Sequence, residues 1–173
     1  MINSQNTLSL GLVLLAIFSR LIPHPPNFTP FMAIAIFSGF QLQSKRISLL
    51  IPFIALFLSD LILGFYPSMW AVYLSIALIS CLSVFLKRQK ALTSIGLTTI
   101  FGSFLFFVLT NFAVWIQTTA YSKNWQGLSQ CYMMALPFFR NSILGDVFYT
   151  TTLFLLYEVV QKLSSNANAY PRS

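Results

Sequence analysis

Apolar residues run along this chain in six stretches, separated by short clusters of proline, polar and charged residues. The first stretch covers about Thr7 to Ile22 and stops at Pro23, because the run Pro23-His24-Pro25-Pro26 cannot continue a helix. Residues 23 to 30 then form a stiff, extended connector. The second stretch, about Pro30 to Leu42, would span only roughly 20 Å as a helix, short of a hydrocarbon core of about 30 Å. It must tilt little, be extended by Asn27 to Thr29, or cross beside other helices in place of lipid. The third covers Ile47 to Tyr66 with Pro52 as a kink one turn in, and the fourth covers Met69 to Leu86. The fifth covers about Leu92 to Ile116. The sixth, Pro137 to Val160, opens on a proline where a missing N–H costs nothing. Between the last two lies the longest connection, about Gln117 to Leu136, and a polar tail without periodicity or order is expected from Leu163 to Ser173. The pattern predicts an all-α protein of six transmembrane helices, one domain over residues 1 to 163 with a short cytoplasmic tail over 164 to 173.

Composition narrows the class. Of 173 residues, 57% are hydrophobic and 8% charged, against about a quarter charged in a soluble globule. The lipid bilayer is therefore the first partner. A net charge of +7 raises nucleic acid as a partner, but the basic residues form short clusters between apolar runs, as the positive-inside rule requires, and no nucleic-acid role is expected. No cleavable signal peptide is expected either, since the first apolar run follows uncharged residues and ends in Arg20 and prolines. Cys81 lies in an apolar run and Cys131 is expected in the polar connection, so no disulfide joins them.

Orientation follows from the cations. In a six-helix weave Lys45, Arg46, Lys87, Arg88, Lys90, Lys162 and Arg172 share one side, and Arg20, Lys123 and Arg140 the other. Both termini are thereby placed in the cytoplasm and three loops outside an inner (plasma) membrane.

With that topology Arg20, His24, Asn27, Asp60, Tyr66, Trp70, Tyr73, Asn111, Trp115, Asn141, Asp146 and Tyr149 fall in or just beyond the outer half of the membrane. Ionisable groups inside a bilayer cost several kcal/mol unless paired or facing a wet cavity. Asp60 and Asp146 have two explanations, a structural pair with Arg20 or Arg140, or pairing that also lines a solute cavity. The sixth helix supports the cavity: Asn141, Ser142, Gly145, Asp146, Tyr149 and Thr152 fall within an arc of roughly 140°, with Ile143, Leu144, Val147, Phe148, Phe154 and Leu155 opposite. Asn111 and Trp115 share a face of the fifth helix. Trp70, Tyr73 and Trp125 are equally explained as an interfacial belt.

Enzyme signatures are weak. The chain has one histidine and neither a nucleophile elbow, paired metal-binding histidines nor a phosphate-cradling loop, so no catalytic residue, metal or cofactor is expected. An aspartyl dyad of Asp60 and Asp146 lacks an accompanying motif.

The stretch Arg20-Leu21-Ile22-Pro23-His24-Pro25-Pro26-Asn27-Phe28-Thr29-Pro30 resembles the start of a family of uncharacterised bacterial six-helix membrane proteins. So do Ser59-Asp60 with Gly64-Phe65-Tyr66, Thr110-Asn111-Phe112-Ala113-Val114-Trp115, and Ala135-Leu136-Pro137-Phe138-Phe139-Arg140-Asn141 with Gly145-Asp146. That family is similar in helix count and site placement to the substrate-binding S components of energy-coupling factor transporters. The resemblance implies an outward pocket capped by the loops after helices one, three and five, and docking on a transmembrane coupling protein driven by ATPases. One departure is that the first helix offers only Gly11, Ala16 and Ser19 where S components often carry Ala-x-x-x-Ala; Ala35-x-x-x-Gly39 on the second is the nearest small-residue stripe.

The expected function is binding and uptake of a small water-soluble solute, vitamin-like or heterocyclic, from the outer face. Asp60 and Asp146 would meet a cationic or donor-rich group, and Arg20 a carboxylate or an aspartate. Asn111 and Asn141 would hydrogen-bond, Trp115, Tyr66 and Tyr149 would stack, and His24 and Asn27 would border the site. The rival reading is a non-transporting membrane scaffold of cell-shape type, whose polar cluster only locks helices together.

Overall fold

The structure, a computed structural model, describes residues 4–89 and 91–169. It is all-helical, with α1 (Ser4–Leu21), α2 (Phe31–Gln41), α3 (Lys45–Leu63), α4 (Met69–Leu86), α5 (Leu92–Gln117) and α6 (Trp125–Ala169). Four of these, α3 to α6, contain stretches long and apolar enough to cross a membrane, while the apolar parts of the first two, Leu10–Leu21 and Phe31–Gln41, are shorter. Lys90 and Arg172 lie outside the described residues.

The short helix α2 is the centre of the bundle. Every residue from Phe31 to Phe40 is buried, and α1, α3, α4, α5 and α6 all pack on it. A helix that is apolar on every face has no polar stripe to turn outward, so it is buried whole. Of the three ways to accommodate so short a segment, the fold uses enclosure by other helices. Gly39 sets the distance to α4, because a Cβ there would lie 2.4 Å from Ser83 Cβ and 3.1 Å from the Ser83 carbonyl carbon. The Ala35 and Gly39 stripe therefore serves packing inside the bundle. Gly39→Ala is expected to cost about 1 to 3 kcal/mol through overpacking, read as a lower melting temperature of the detergent-solubilised protein. An unchanged melting temperature would mean that α2 and α4 separate freely.

Local chemistry accounts for the ends and bends of the helices. Ser44 Oγ accepts the Ile47 N–H at 3.4 Å to open α3, and Gly64, at φ 94°, closes it with its N–H on the Asp60 carbonyl at 2.8 Å. That left-handed φ is one that glycine adopts without a Cβ penalty. Pro52, inside α3, removes the N–H that would bond the Ser48 carbonyl. Ser38 of α2 replaces it, donating its hydroxyl to that carbonyl at 2.9 Å, a substitution membrane helices use to tolerate proline. At the same end of the bundle, Lys87 Nζ donates to the Leu42 carbonyl and, at 3.5 Å, to that of Gln43.

The last third of the chain corrects four expectations. The connection after α5 covers only Thr118 to Asn124, and α6 begins at Trp125. Asn124 caps it, its Oδ1 accepting the Gly127 N–H at 2.9 Å and its carbonyl the Leu128 N–H at 3.0 Å. Pro137 consequently lies within the helix, not at its first position, and Cys131 is a buried helical residue. At the other end α6 runs on to Ala169, where a polar tail is expected from Leu163. Polar residues past the apolar run do not stop a helix when neither proline nor glycine interrupts it.

Candidate functional site

Arg20 in the last turn of α1 and Asp60 in the last turn of α3 meet because those two helices pack together and end at the same side of the bundle. Arg20 Nη1 donates to Asp60 Oδ1 and to Ser59 Oγ at 2.8 Å. The Tyr73 hydroxyl of α4 donates to Asp60 Oδ2 at 2.9 Å, and the guanidinium lies 5.6 Å from the centre of the Phe31 ring, a favourable cation–π distance. Asp60 is 0% exposed with both oxygens engaged. It is a lock among α1, α3 and α4.

Beside this lock lies a cavity of about 220 Å³ to which all six helices contribute. Met32, Leu56, Val72, Ile76 and Phe106 make its apolar part, and Arg20, Ser142 and Asp146 its polar part. The connector adds His24, Asn27 and Thr29, and the loop after α3 adds Tyr66. Asp146 is 5% exposed and accepts one hydrogen bond, from Ser103 Oγ of α5 at 2.7 Å. Among the described residues the one salt bridge is that of Arg20 with Asp60, so the carboxyl of Asp146 faces the cavity without a cation.

The connector covers the cavity and is held there by packing. Its turn carries the Phe28 N–H on the Pro25 carbonyl at 3.0 Å, with Pro26 second and Asn27 third at φ 64°, a conformation asparagine tolerates better than most residues. Phe28 packs on Tyr149 and Phe148, ring centres 5.4 and 5.9 Å away. Gly145 makes that approach possible, since a Cβ there would lie 3.1 Å from Phe28 Cα. His24 Nδ1 is 2.7 Å from the Ile22 carbonyl; a carbonyl only accepts, so Nδ1 is the donor. Burial, and next the negative charge of Asp60, push the Tyr66 hydroxyl above its ordinary range. It remains a protonated donor.

Of the residues singled out in the sequence, the structure gathers Arg20, His24, Asn27, Tyr66 and Asp146 around the cavity. Asp60 stands behind it, and Tyr149 holds the connector through Phe28. Asn111 turns back on its own helix, Nδ2 donating to the Phe107 carbonyl at 2.8 Å. Trp115 donates to the Ser122 carbonyl at 2.9 Å, and Lys123, over its ring at 5.7 Å, caps the C-terminus of α5 through the Trp115 and Thr118 carbonyls. Asn141 is half-buried and outside the lining. Ser142, Ser103 and Thr29 are the polar residues that sequence reasoning left out of the site. Ser103 carried a signal, being i, i+4 with Thr99 and next to Gly102 on a small, polar face of α5.

A family model of unknown function matches residues 1–168, nearly the whole chain. The chain belongs to DUF6580. No curated protein and no solved structure matches it. What sets the cavity of this DUF6580 member apart is the buried acid of Asp146, which has a serine hydroxyl and, among the described residues, no cation beside it.

Proposed function

We propose that this protein binds a small polar solute from the outer face of the plasma membrane and serves as a transport subunit similar to the S components of energy-coupling factor transporters. In this reading all six helices lie in the membrane, α2 shielded by the other five, with both termini in the cytoplasm. The observation that carries the proposal is Asp146, a buried acid at a cavity wall with a serine hydroxyl as its partner. A purely structural acid in a bilayer is expected to have a cation beside it, as Asp60 does. Arg20 is already neutralised, so the ionisable group left for a ligand is the Asp146 acid, and the site favours a solute with a cationic or donor-rich group. At about 220 Å³ the cavity is below the roughly 300 to 1,000 Å³ of drug-sized sites, which suits a small metabolite. Arg20, Tyr66 and His24 would take its acceptor end. The lock of Arg20 with Asp60 and Tyr73 is what a scaffold would also need, and it supports the rival reading for that half of the cluster only. The α1 face for a coupling protein retains Gly11, whose Cβ position is open, while Ala16 is buried in the bundle.

Thermal-shift screening of the purified protein against vitamins, nucleobases, amino acids and small amines tests the reading, and cationic members are expected to stabilise most. Failure of every class would remove it. Orientation is checked separately: in a Cys81→Ser/Cys131→Ser background, Ser122→Cys should react with an impermeant maleimide added to intact cells, and Arg46→Cys and Gln89→Cys should not. Labelling of the last two from outside would invert the topology.

A further inference from the structure

A second cavity, of about 620 Å³, opens between the start of α3 and the end of α4, at the end of the bundle opposite the solute site. Its lining is graded. Lys45, Lys87 and Arg88 stand at the rim, and Leu49, Val84, Phe85 and Cys81 form a trough leading away from it. From Arg88 back to Cys81 is about 10 Å along the helix at 1.5 Å per residue, the start of an acyl chain's depth below a headgroup. Lys87 is fixed in place by its bonds to the carbonyls at the end of α2, so its charge is positioned before any ligand arrives. Lys45 and Arg88 are exposed. Phe85, 81% exposed, extends the apolar wall outward.

We infer that this trough is a binding site for one anionic phospholipid, the phosphate among Lys45, Lys87 and Arg88 and an acyl chain along Leu49, Val84 and Phe85. The two halves of the lining discriminate between occupants. A soluble anion would have no use for an apolar trough continuing from the cations, and a zwitterionic lipid would leave the cations without a net negative partner. Basic pockets at the ends of transmembrane helices take anionic headgroups for this reason. The site is independent of the solute cavity and of the transport reading.

The test uses Phe85→Trp as a fluorescent reporter in vesicles of phosphatidylcholine containing either brominated phosphatidylglycerol or brominated phosphatidylcholine, with the contribution of Trp70, Trp115 and Trp125 measured on the unsubstituted protein and subtracted. Quenching should show tighter binding of the brominated phosphatidylglycerol. Lys45→Ala and Arg88→Ala should each reduce that preference about 5-fold, the effect of one basic residue near a membrane surface. Both positions are exposed, so the melting temperature should not move. Lys123→Ala/Arg140→Ala, at the opposite end, should leave the preference intact. Equal quenching by the two lipids would overturn the proposal, as would an equal loss in the Lys123/Arg140 control. Competition by millimolar inorganic phosphate would also overturn it, in favour of a site for soluble anions.

Discussion

Arg20→Ala should lower the melting temperature of the solubilised protein by roughly 6 to 20 °C, the largest stability loss expected of any single substitution outside the central helix. The change leaves Asp60 fully buried with the Tyr73 hydroxyl as its remaining side-chain donor. Breaking a buried ion pair costs about 3 to 5 kcal/mol, and each kcal/mol moves the midpoint of a chain this size by about 2 to 4 °C. The two partners are not equivalent. Arg20 is 17% exposed at its side chain and lines the cavity, whereas Asp60 is sealed. Asp60→Asn leaves a cation that can still reach water and Ser59, so it should cost clearly less than Arg20→Ala, and Arg20→Ala/Asp60→Ala should recover part of the loss. Equal and additive effects of the two single changes would mean that the pair contributes no coupling and that the lock is not one.

Much of this architecture is written locally in the chain. Proline marks the end of α1, whereas α3 stops at Leu63, three residues short of the expected Tyr66, because Gly64 ends it. The all-apolar run from Phe31 to Phe40, too short to cross lipid alone, leaves enclosure by other helices as one of three possibilities, and burial of α2 is the one observed. The polar arc of α6 is also legible, but its centre is rotated. Ser142, Asp146 and Thr150 are the buried polar side chains, while Asn141 and Thr152 are half-buried, and Phe154, expected on the outer face, packs edge-on against Phe37 and Phe40. Periodicity gives a face to within about one residue's rotation of 100°, and neighbouring helices decide the rest.

What the chain does not disclose is which polar groups are already used. The partner of Asp60 is 40 residues away, and that of Asp146 is 43 residues away, so the locked and the open carboxylate look alike until the helices are assembled. Asn111 and Trp115 share a face as expected, yet each is consumed by a carbonyl of its own helix or of the adjoining loop. The early start of α6 was signalled by Asn124, a good N-cap, and Pro137 obscured it because proline more often opens a helix than interrupts one.

Asp146→Asn separates solute binding from structure more directly than any other change. Asparagine keeps the shape and can still accept from Ser103. No cation is orphaned, since the salt bridge among the described residues is at Asp60. The melting temperature without ligand should therefore stay within a few degrees of wild type. A charge-assisted contact to the solute, worth about 1.5 to 3 kcal/mol, should be lost, weakening binding roughly 10- to 150-fold. The decisive measurement is the ligand-induced shift in melting temperature of wild type and Asp146→Asn, made with the compound that stabilises wild type most. An unchanged resting melting temperature with a lost or strongly weakened shift is the result predicted for a solute-binding carboxylate. A resting melting temperature that collapses, or a ligand shift equal to that of wild type, would contradict it and leave Asp146 a structural residue.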